Sequence, residues 1–325
     1  SQEMGNLFFF TLFFIAIHAQ DGPLNYYALT TPATEIAGII NGELSGVTWN
    51  KVNNHLYMIE DDYGTIWETD TNCNILRTIS GGTFGDTEDI AFLGHDEFAV
   101  VTEEGDLYIG NIPHSEDDMV IDPDDFQKIT FAYPDGNDGP EGVTYNLLTE
   151  TFYIVKEKNP QAFYRFQRPG TSADTVITPD IPFDAESIFD GIMEDLSALT
   201  FDERTGRILI LSDDSHRIID VDPETGTIHG VLDMSDATQH EGISFYNNNY
   251  DLIITSEPNY YTTYSSACYT DNLHGFENTV CLEQTILGIE QDCNWDFDFN
   301  YKINVIDLLI ANDILNGYDH YDCSD

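Results

Sequence analysis

The sequence predicts an all-β fold, and within that class a five-bladed β-propeller. One short phrase recurs five times: a small or acidic start is followed by an apolar pair that Thr, Ser or Ala separates. The copies are LSGVTWN, TEDIAFL, PEGVTYN, LSALTFD and HEGISFY, and they begin at Leu44, Thr87, Pro140, Leu196 and His240. Their third positions lie 43, 53, 56 and 44 residues apart, a period typical of propeller blades.

A second β-rich run follows each phrase after a turn-rich stretch, which predicts a hairpin in every repeat. The runs are HLYMIEDD, EFAVVTEE, TFYIVKEK, RILILSDD and DLIITSEP. The clearest repeat spans Leu196 to Met234, where turns separate four β-rich runs and predict one four-stranded antiparallel sheet. Several such sheets arranged radially bury both faces of each sheet. Six blades remain the alternative if the terminal strands form a degenerate sixth sheet.

The remaining segments are assigned from the same pattern. Residues 20–43 contain the β-prone runs LNYYALT and TEIAGII, and we expect one of them to complete the last blade. The insertion PDIPFDAESIFDGIMED, between the third and fourth repeats, has weak helical periodicity and is expected to cover one face of the ring. The Tyr-rich run after the last repeat is expected to pack as an amphipathic edge strand, with stacking on sugars as the alternative.

Taken together, the repeats resemble the SdiA-regulated propellers. The resemblance rests on LSGVTWN with YMIEDDYGTIWETD, GDTEDIAFLG with FAVVTEE, GPEGVTYN with YIVKEK, and EGISF with IITSEPN, and it covers about residues 44–259. Members are secreted or envelope-associated bacterial proteins. The resemblance implies the propeller fold and a central channel that can hold a cation.

Three segments are predicted along the chain. The apolar run LFFFTLFFIAI, from Leu7 to Ile17, is typical of a signal peptide, here residues 1–19. No Lys or Arg precedes it, and a retained anchor is the alternative. The propeller is predicted over 20–288 and a small calcium segment over 289–325. We therefore expect a secreted or cell-surface protein without a membrane span after cleavage.

The charge composition excludes some classes of binding partner. The chain has 59 acidic and 11 basic residues, for a net charge of −48. A surface of this charge repels nucleic acid and anionic membranes. The carboxylates either form a solvated coat or, where they cluster, bind divalent cations, and Ca²⁺ is the cation that prefers oxygen ligands.

Five cysteines are consistent with export. Two bridges are plausible among Cys268, Cys281, Cys293 and Cys323, and Cys73 is left over. We favour the pair Cys293 and Cys323, because it would staple a segment too small to hold itself.

The C-terminal segment contains DFDFNYKINVID. As an EF-hand-type loop it supplies ligands at positions 1, 3, 5, 7 and 12, namely Asp296, Asp298, Asn300, the carbonyl of Lys302, and Asp307. The segment resembles a type I dockerin repeat, although Tyr301 replaces the expected Gly and a second loop is missing. We therefore expect a single attachment module that one Ca²⁺ stabilises, rather than a two-loop dockerin that binds cohesin. The alternative is an acidic tail in which the spacing of the ligand residues is accidental.

Hairpin geometry places two groups of side chains at one mouth of the channel, because the first strand starts where the second ends. The groups are Ser45, Glu88, Glu141, Ser197 and Glu241, and Asp61, Glu103, Lys156 with Glu157, Asp213 and Glu257. The residues expected to bind a ligand are Glu88, Glu141, Glu241, Asp61, Asp213, Glu257 and Lys156. Their carboxylates are expected to bind a cation. Ca²⁺ is the ion most compatible with oxygen ligands, and it would be a second Ca²⁺ in addition to that of the C-terminal loop. Alternatively, the glutamates accept backbone hydrogen bonds and lock the ring.

Three functions remain open. The first is a calcium-stabilised module that binds an extracellular protein or a glycan. The second is a metal-dependent hydrolase of lactonase or phosphoester type, with His240 beside Glu241 as base and metal ligand. The third is a structural assembly protein. No G-x-S-x-G, H-E-x-x-H, P-loop or dinucleotide fingerprint occurs, so no catalytic residue is assigned and the balance favours binding over catalysis.

Overall fold

The computed structural model describes Leu24 and residues 27–39, 42–81, 84–131, 139–234, 238–247 and 250–266. The first ten strands are β1 (Tyr27–Glu35), β2 (Leu44–Asn50), β3 (His55–Glu60), β4 (Ile66–Thr69), β5 (Ile75–Gly81), β6 (Thr87–Gly94), β7 (Glu97–Thr102), β8 (Asp106–Asn111), β9 (Met119–Ile121) and β10 (Gln127–Phe131). A 3-10 helix, Pro123–Asp125, precedes β10.

The second half of the chain continues with β11 (Pro140–Asn146), β12 (Thr151–Lys156), β13 (Ala162–Gln167), β14 (Thr175–Ile177), helix α1 (Ala185–Phe189), β15 (Ala198–Asp202), β16 (Arg207–Ser212), β17 (Arg217–Val221), β18 (Ile228–Asp233), β19 (Gln239–Tyr246), β20 (Asp251–Glu257) and β21 (Tyr260–Ser266).

These strands form five sheets, each of which is one blade. Blades 1 to 5 have the strand orders β2-β3-β4-β5-β9, β6-β7-β8-β10-β14, β11-β12-β13, β15-β16-β17-β18 and β19-β20-β21-β1. The innermost strands β2, β6, β11, β15 and β19 contact one another in turn, and β19 contacts β2 to close the circle. The prediction of a five-bladed propeller is confirmed, and the six-bladed alternative is wrong.

The two ends of the described chain meet in blade 5. Strand β1 pairs antiparallel with β21, from Tyr27 opposite Ser266 to Glu35 opposite Tyr260. The expectation that an N-terminal strand completes the last blade is therefore confirmed. Because β1 covers it, β21 is an inner strand, and the expectation of an edge strand for the Tyr-rich run is wrong.

Blades 1 and 2 each gain a fifth strand from a later part of the chain. Strand β9 follows blade 2's β8 but pairs parallel with β5 of blade 1, and β14 follows blade 3 but pairs parallel with β10 of blade 2. Each crossover ties one blade to the next. No repeat phrase marks these short strands.

The core consists of five apolar clusters, one at each interface between blades. Blades 1 and 2, for example, bury Tyr57 and Ile59 against Phe98 and Val100. The alternation of each strand places one set of side chains against each neighbouring blade, so stacking removes both faces from water. The ring is therefore held together mainly by apolar burial between blades.

The insertion between the third and fourth repeats forms only one helical turn and a half. Helix α1 begins after Asp184, whose carboxylate accepts a hydrogen bond of 3.2 Å from the backbone N–H of Ser187. Phe189 packs with Phe163 and Phe183 at the interface of blades 3 and 4. The insertion fills an interface between two blades.

Among the described residues, no helix is both long and apolar enough to span a membrane. Cys73 is buried and carries a free thiol. The expected signal peptide, the four other cysteines and the calcium segment with Asp296, Asp298, Asn300, Lys302 and Asp307 lie outside the described residues.

Candidate functional site: the carboxylate mouth of the channel

A local irregularity in the innermost strands positions the glutamates. The pairing of β6 with β7, of β11 with β12 and of β19 with β20 shifts register between the first and third residues of the repeated phrase. A bulge of this kind leaves one residue out of the ladder and re-aims its side chain. The residues on these bulges are Glu88, Glu141 and Glu241, and in blade 1 the same irregularity falls at Ser45.

The three glutamates interact with one another at the channel mouth. All three are half-buried, and the carboxyl groups of Glu88 and Glu141 are hydrogen-bonded to each other. Burial, together with the charges of nearby acidic groups, raises the pKa of Glu88 to about 8 and the pKa of Glu241 to about 8. The same two causes raise the pKa of Glu141 well above its ordinary value, with Glu88, Glu157 and Glu241 as its charged neighbours.

A second set of carboxylates surrounds this centre. Burial, with contributions from Glu43 and Glu257, raises the pKa of Asp61 to about 7. Burial and Asp86 raise the pKa of Glu103 to about 7, and burial raises the pKa of Glu257. The Oδ1 atom of Asp61 is buried and has no hydrogen-bond partner. A buried carboxylate oxygen without a donor is costly, and a cation would remove that cost.

Two of the expected residues have other partners. Lys156 is buried, and its ammonium group donates to the carbonyl oxygens of Lys158 and Pro160. Asp213 accepts a 2.7 Å hydrogen bond from the backbone N–H of His240. Burial raises the pKa of Asp213, but the contacts with His240 outweigh burial and lower it overall. Lys156 is thus engaged by its own loop, and Asp213 locks blade 4 to blade 5.

The mouth contains two oxygen-only sets that fit a hard divalent cation. In each set the ligand atoms lie within 4.8 Å of one another. The sets are Asp86, Glu88 and Glu103, and Glu43, Asp61 and Asp62. Asp61, Glu88 and Glu103 are half-buried, and the other three residues are exposed. Ca²⁺ accepts six to eight oxygen ligands in flexible geometry, so carboxylates arranged in this way are suitable first ligands.

A mixed cluster lies at the edge of the mouth. Ligand atoms of Asp213, His216 and His240 lie within 4.8 Å of one another. The ring of His240 is completely buried and lies 5.6 Å from that of His216, measured between centroids. A ring so buried cannot meet a substrate directly, which argues against His240 as a general base.

Asp89 lies in the hub of the ring and was not among the residues predicted from the sequence. Asp89 is 1% exposed, and its carboxylate accepts hydrogen bonds from the backbone N–H groups of Ile90, Val143 and Val47. These three donors belong to blades 2, 3 and 1. The signal was present, because an aspartate occupies a third position at which the other four repeats have Gly or Ala.

The opposite end of the channel carries a second feature that was not predicted from the sequence. A cavity of about 280 Å³ opens there, and the sixth residue of every repeat lines it. These residues are Trp49, Phe92, Tyr145, Phe201 and Phe245. An aromatic at the same position in all five repeats was a visible signal. The channel thus has a carboxylate end and an aromatic end.

Comparison with known families agrees with this architecture. A family model described as SdiA-regulated matches residues 20–265, which is more than half of the chain. The match includes all five blades and extends beyond the repeats at both ends.

Solved structures with a similar course of the chain include three proteins. A chain of a nidogen/laminin complex has a TM-score of 0.46 at 12% identity, with 71% of this chain and 85% of that chain covered. A luciferin-regenerating enzyme has a TM-score of 0.46 at 12% identity, covering 73% and 95%. Regucalcin, a calcium-binding protein from Agrobacterium tumefaciens, has a TM-score of 0.45 at 10% identity, covering 72% and 93%.

Proposed function

Because the chain belongs to the SdiA-regulated family, we propose that it is a secreted binding propeller whose carboxylate mouth holds Ca²⁺ and presents that ion to a ligand. The ligand is an extracellular protein or a glycan, either of which supplies oxygen atoms to open coordination positions. The observation that carries the proposal is the meeting of Glu88, Glu141 and Glu241, whose acidic side chains share one half-buried space.

Electrostatics supports a cation in this space. Three ionised carboxylates so close together repel one another strongly. The hydrogen bond between the carboxyl groups of Glu88 and Glu141 requires that the pair keep a proton. A divalent cation can replace that proton and bring the carboxylates together as ligands. The mouth therefore has a protonated state and a cation-bound state.

The test is a calcium titration of the full chain, followed by thermal unfolding at pH 8. We expect Ca²⁺ to raise the melting temperature, because a ligand that binds only the folded state stabilises it. The variant Glu141→Gln should lose most of this effect. The matched control is Glu116→Gln, a change at an exposed residue outside the mouth. An equal response of the Glu141→Gln variant and the wild-type protein would refute the proposed mouth site.

We also propose that residues 289–325 form an attachment segment that binds Ca²⁺. Its support is the sequence alone, through the ligand positions of Asp296, Asp298, Asn300, Lys302 and Asp307. Deleting the segment should change the location of the protein but leave the melting of the propeller nearly unchanged. A large loss of melting temperature would show that the segment belongs to the core.

A metal-dependent hydrolase is the second candidate function. The cluster of Asp213, His216 and His240 favours it, because mixed nitrogen and oxygen ligands are common in hydrolytic metal centres. The Nδ1 atom of His216 is buried and has no hydrogen-bond partner. Metal-dependent turnover of a lactone or a phosphoester that His216→Ala abolishes would favour this function over binding.

A further inference from the structure

A cluster of two histidines and one glutamate lies away from the carboxylate mouth. His55 begins β3, Glu68 lies near the end of β4, and His114 follows β8. Because β3 starts and β4 ends at the face opposite the mouth, the cluster lies on the other side of the ring. Ligand atoms of the three residues lie within 4.8 Å of one another.

We propose that His55, Glu68 and His114 form a binding site for a divalent transition metal, with Zn²⁺ as the best fit. The Nδ1 atom of His55 lies 2.6 Å from Oε1 of Glu68, and the Nδ1 atom of His114 lies 3.8 Å from the same oxygen. Tetrahedral bonds of about 2.0–2.1 Å separate ligand atoms by roughly 3.3 Å. The two distances bracket this value, so small movements of the half-buried His55 ring and the exposed His114 ring create the site.

Arg77 holds the carboxylate of Glu68 in place. The side chain of Glu68 is 1% exposed, and its Oε2 atom accepts a hydrogen bond from Nε of Arg77. The Nη2 group of the same arginine donates a 2.9 Å hydrogen bond to the carbonyl of Pro113, the residue before His114. Arg77 thus fixes both the carboxylate and the loop that carries His114. Outer contacts of this kind orient metal ligands.

Solvent exposure leaves room for the ion. The side chain of His114 is 58% exposed and that of His55 is 23% exposed. Glu68 and Arg77 neutralise each other, while Glu116, Asp117 and Asp118 follow His114 in the sequence. The local charge therefore attracts a cation. With three protein ligands, the fourth position faces water.

The ligand atoms set this site apart from the mouth. Imidazole nitrogen suits Zn²⁺, Cu²⁺ and Ni²⁺, whereas carboxylates alone suit Ca²⁺. The 112–118 segment that carries His114 also connects β8 of blade 2 to β9 of blade 1. A bound metal would therefore link this connecting segment to blade 1.

The experiment is a titration of the metal-stripped full chain with Zn²⁺ in excess CaCl₂, followed by calorimetry. Co²⁺ is the spectroscopic probe, because four-coordinate Co²⁺ absorbs visible light. We expect Zn²⁺ to bind despite the Ca²⁺, and His114→Ala and His55→Ala each to weaken binding by at least about tenfold. His95→Asn is the control, since His95 is exposed in the equivalent hairpin turn of blade 2.

Because His114 is exposed, its replacement leaves the core intact, and near-ultraviolet circular dichroism verifies the fold. Unchanged Zn²⁺ affinity and unchanged Co²⁺ absorption in the His114→Ala variant would overturn the proposal, since the metal would then lie elsewhere. Absence of Zn²⁺ binding by the wild-type chain would overturn it as well. Neither result depends on whether the mouth binds Ca²⁺.

Discussion

The backbone N–H of Val143, in blade 3, donates a 2.9 Å hydrogen bond to the carboxylate of Asp89, in blade 2. The same carboxylate accepts from Val47 in blade 1 and from Ile90 in its own strand. One buried side chain therefore satisfies amides of three blades at the hub. Burial raises the pKa of Asp89 well above its ordinary value, and the three donors oppose that rise.

Removing this carboxylate is expected to destabilise the ring. The Asp89→Ala substitution leaves buried N–H groups without acceptors. Each lost acceptor is expected to lower the free energy of unfolding by about 1–3 kcal/mol. We expect the urea midpoint to fall by an amount equivalent to several kcal/mol, with near-native cooperativity. Asp125→Ala, at an exposed residue of the 3-10 helix, is the control and should leave the midpoint unchanged. A small effect at Asp89 would show that the hub is not a stabilising contact.

The close approach of blades 1 and 2 gives a second prediction. A Cβ at Gly46 would lie 2.3 Å from Oδ1 and 2.6 Å from the Cα atom of Asp89. Because one of these atoms belongs to the backbone and cannot move aside easily, Gly46→Ala should lower the free energy of unfolding by about 1–3 kcal/mol or more. Gly170→Ala adds the same methyl group where nothing lies within 4 Å and should be close to neutral. Chemical unfolding of both variants compares them, and equal stabilities would contradict the tight hub.

The mouth predicts how stability depends on pH in calcium-free buffer. The pKa of Glu88 and of Glu241 is about 8 in the folded protein, against roughly 4.3 for an unfolded glutamate. Between these values the folded state holds more protons, so stability falls as pH rises. We expect the melting temperature to drop by several degrees from pH 5 to pH 8, at about 2–4 °C per kcal/mol.

Replacing one of the glutamates tests whether they cause this dependence of stability on pH. Glu141→Gln removes a repelling group and should flatten the fall with pH, while Glu116→Gln should leave it unchanged. A wild-type melting temperature that rises steadily from pH 5 to pH 8 would contradict the assignment.

Calcium binding at the mouth should release protons. Burial and nearby acidic charges raise the pKa of Glu88 and of Glu241 to about 8, so both side chains carry protons at pH 7 that a bound cation must displace. Calcium affinity should therefore increase as pH rises from 6 to 9. Calorimetry in buffers of different ionisation enthalpy measures the protons released. Binding that releases none would place the ion among carboxylates that are already ionised.

The closure of blade 5 by β1 gives the last prediction. Deleting the chain through residue 35 exposes the edge of β21, whose partners in β1 run from Tyr27 to Glu35. We expect a melting temperature lower by roughly 10 °C or more and concentration-dependent association, since an open edge pairs with other chains. Differential scanning and light scattering measure these two effects. A truncated chain that melts as the intact one does would show that the closure adds little.

The sequence by itself predicted five blades, with six as the alternative, a hairpin in each repeat, and a strand from residues 20–43 that closes the ring. These follow from local alternation and from a repeat period that is typical of a blade, and both are visible in one chain. It also located Glu88, Glu141 and Glu241 at one mouth, because their positions in the phrase are the same.

Only the tertiary structure decided the contacts that depend on neighbours far apart in the sequence. The parallel strands β9 and β14 carry no repeat signal, and their pairing depends on the edge that an earlier blade leaves open. Asp89 gains its role from amides of two other blades, and Lys156 is occupied by carbonyl groups of its own loop. His55, Glu68 and His114 meet because two blades close on each other. Such meetings are set by packing, which no local pattern encodes.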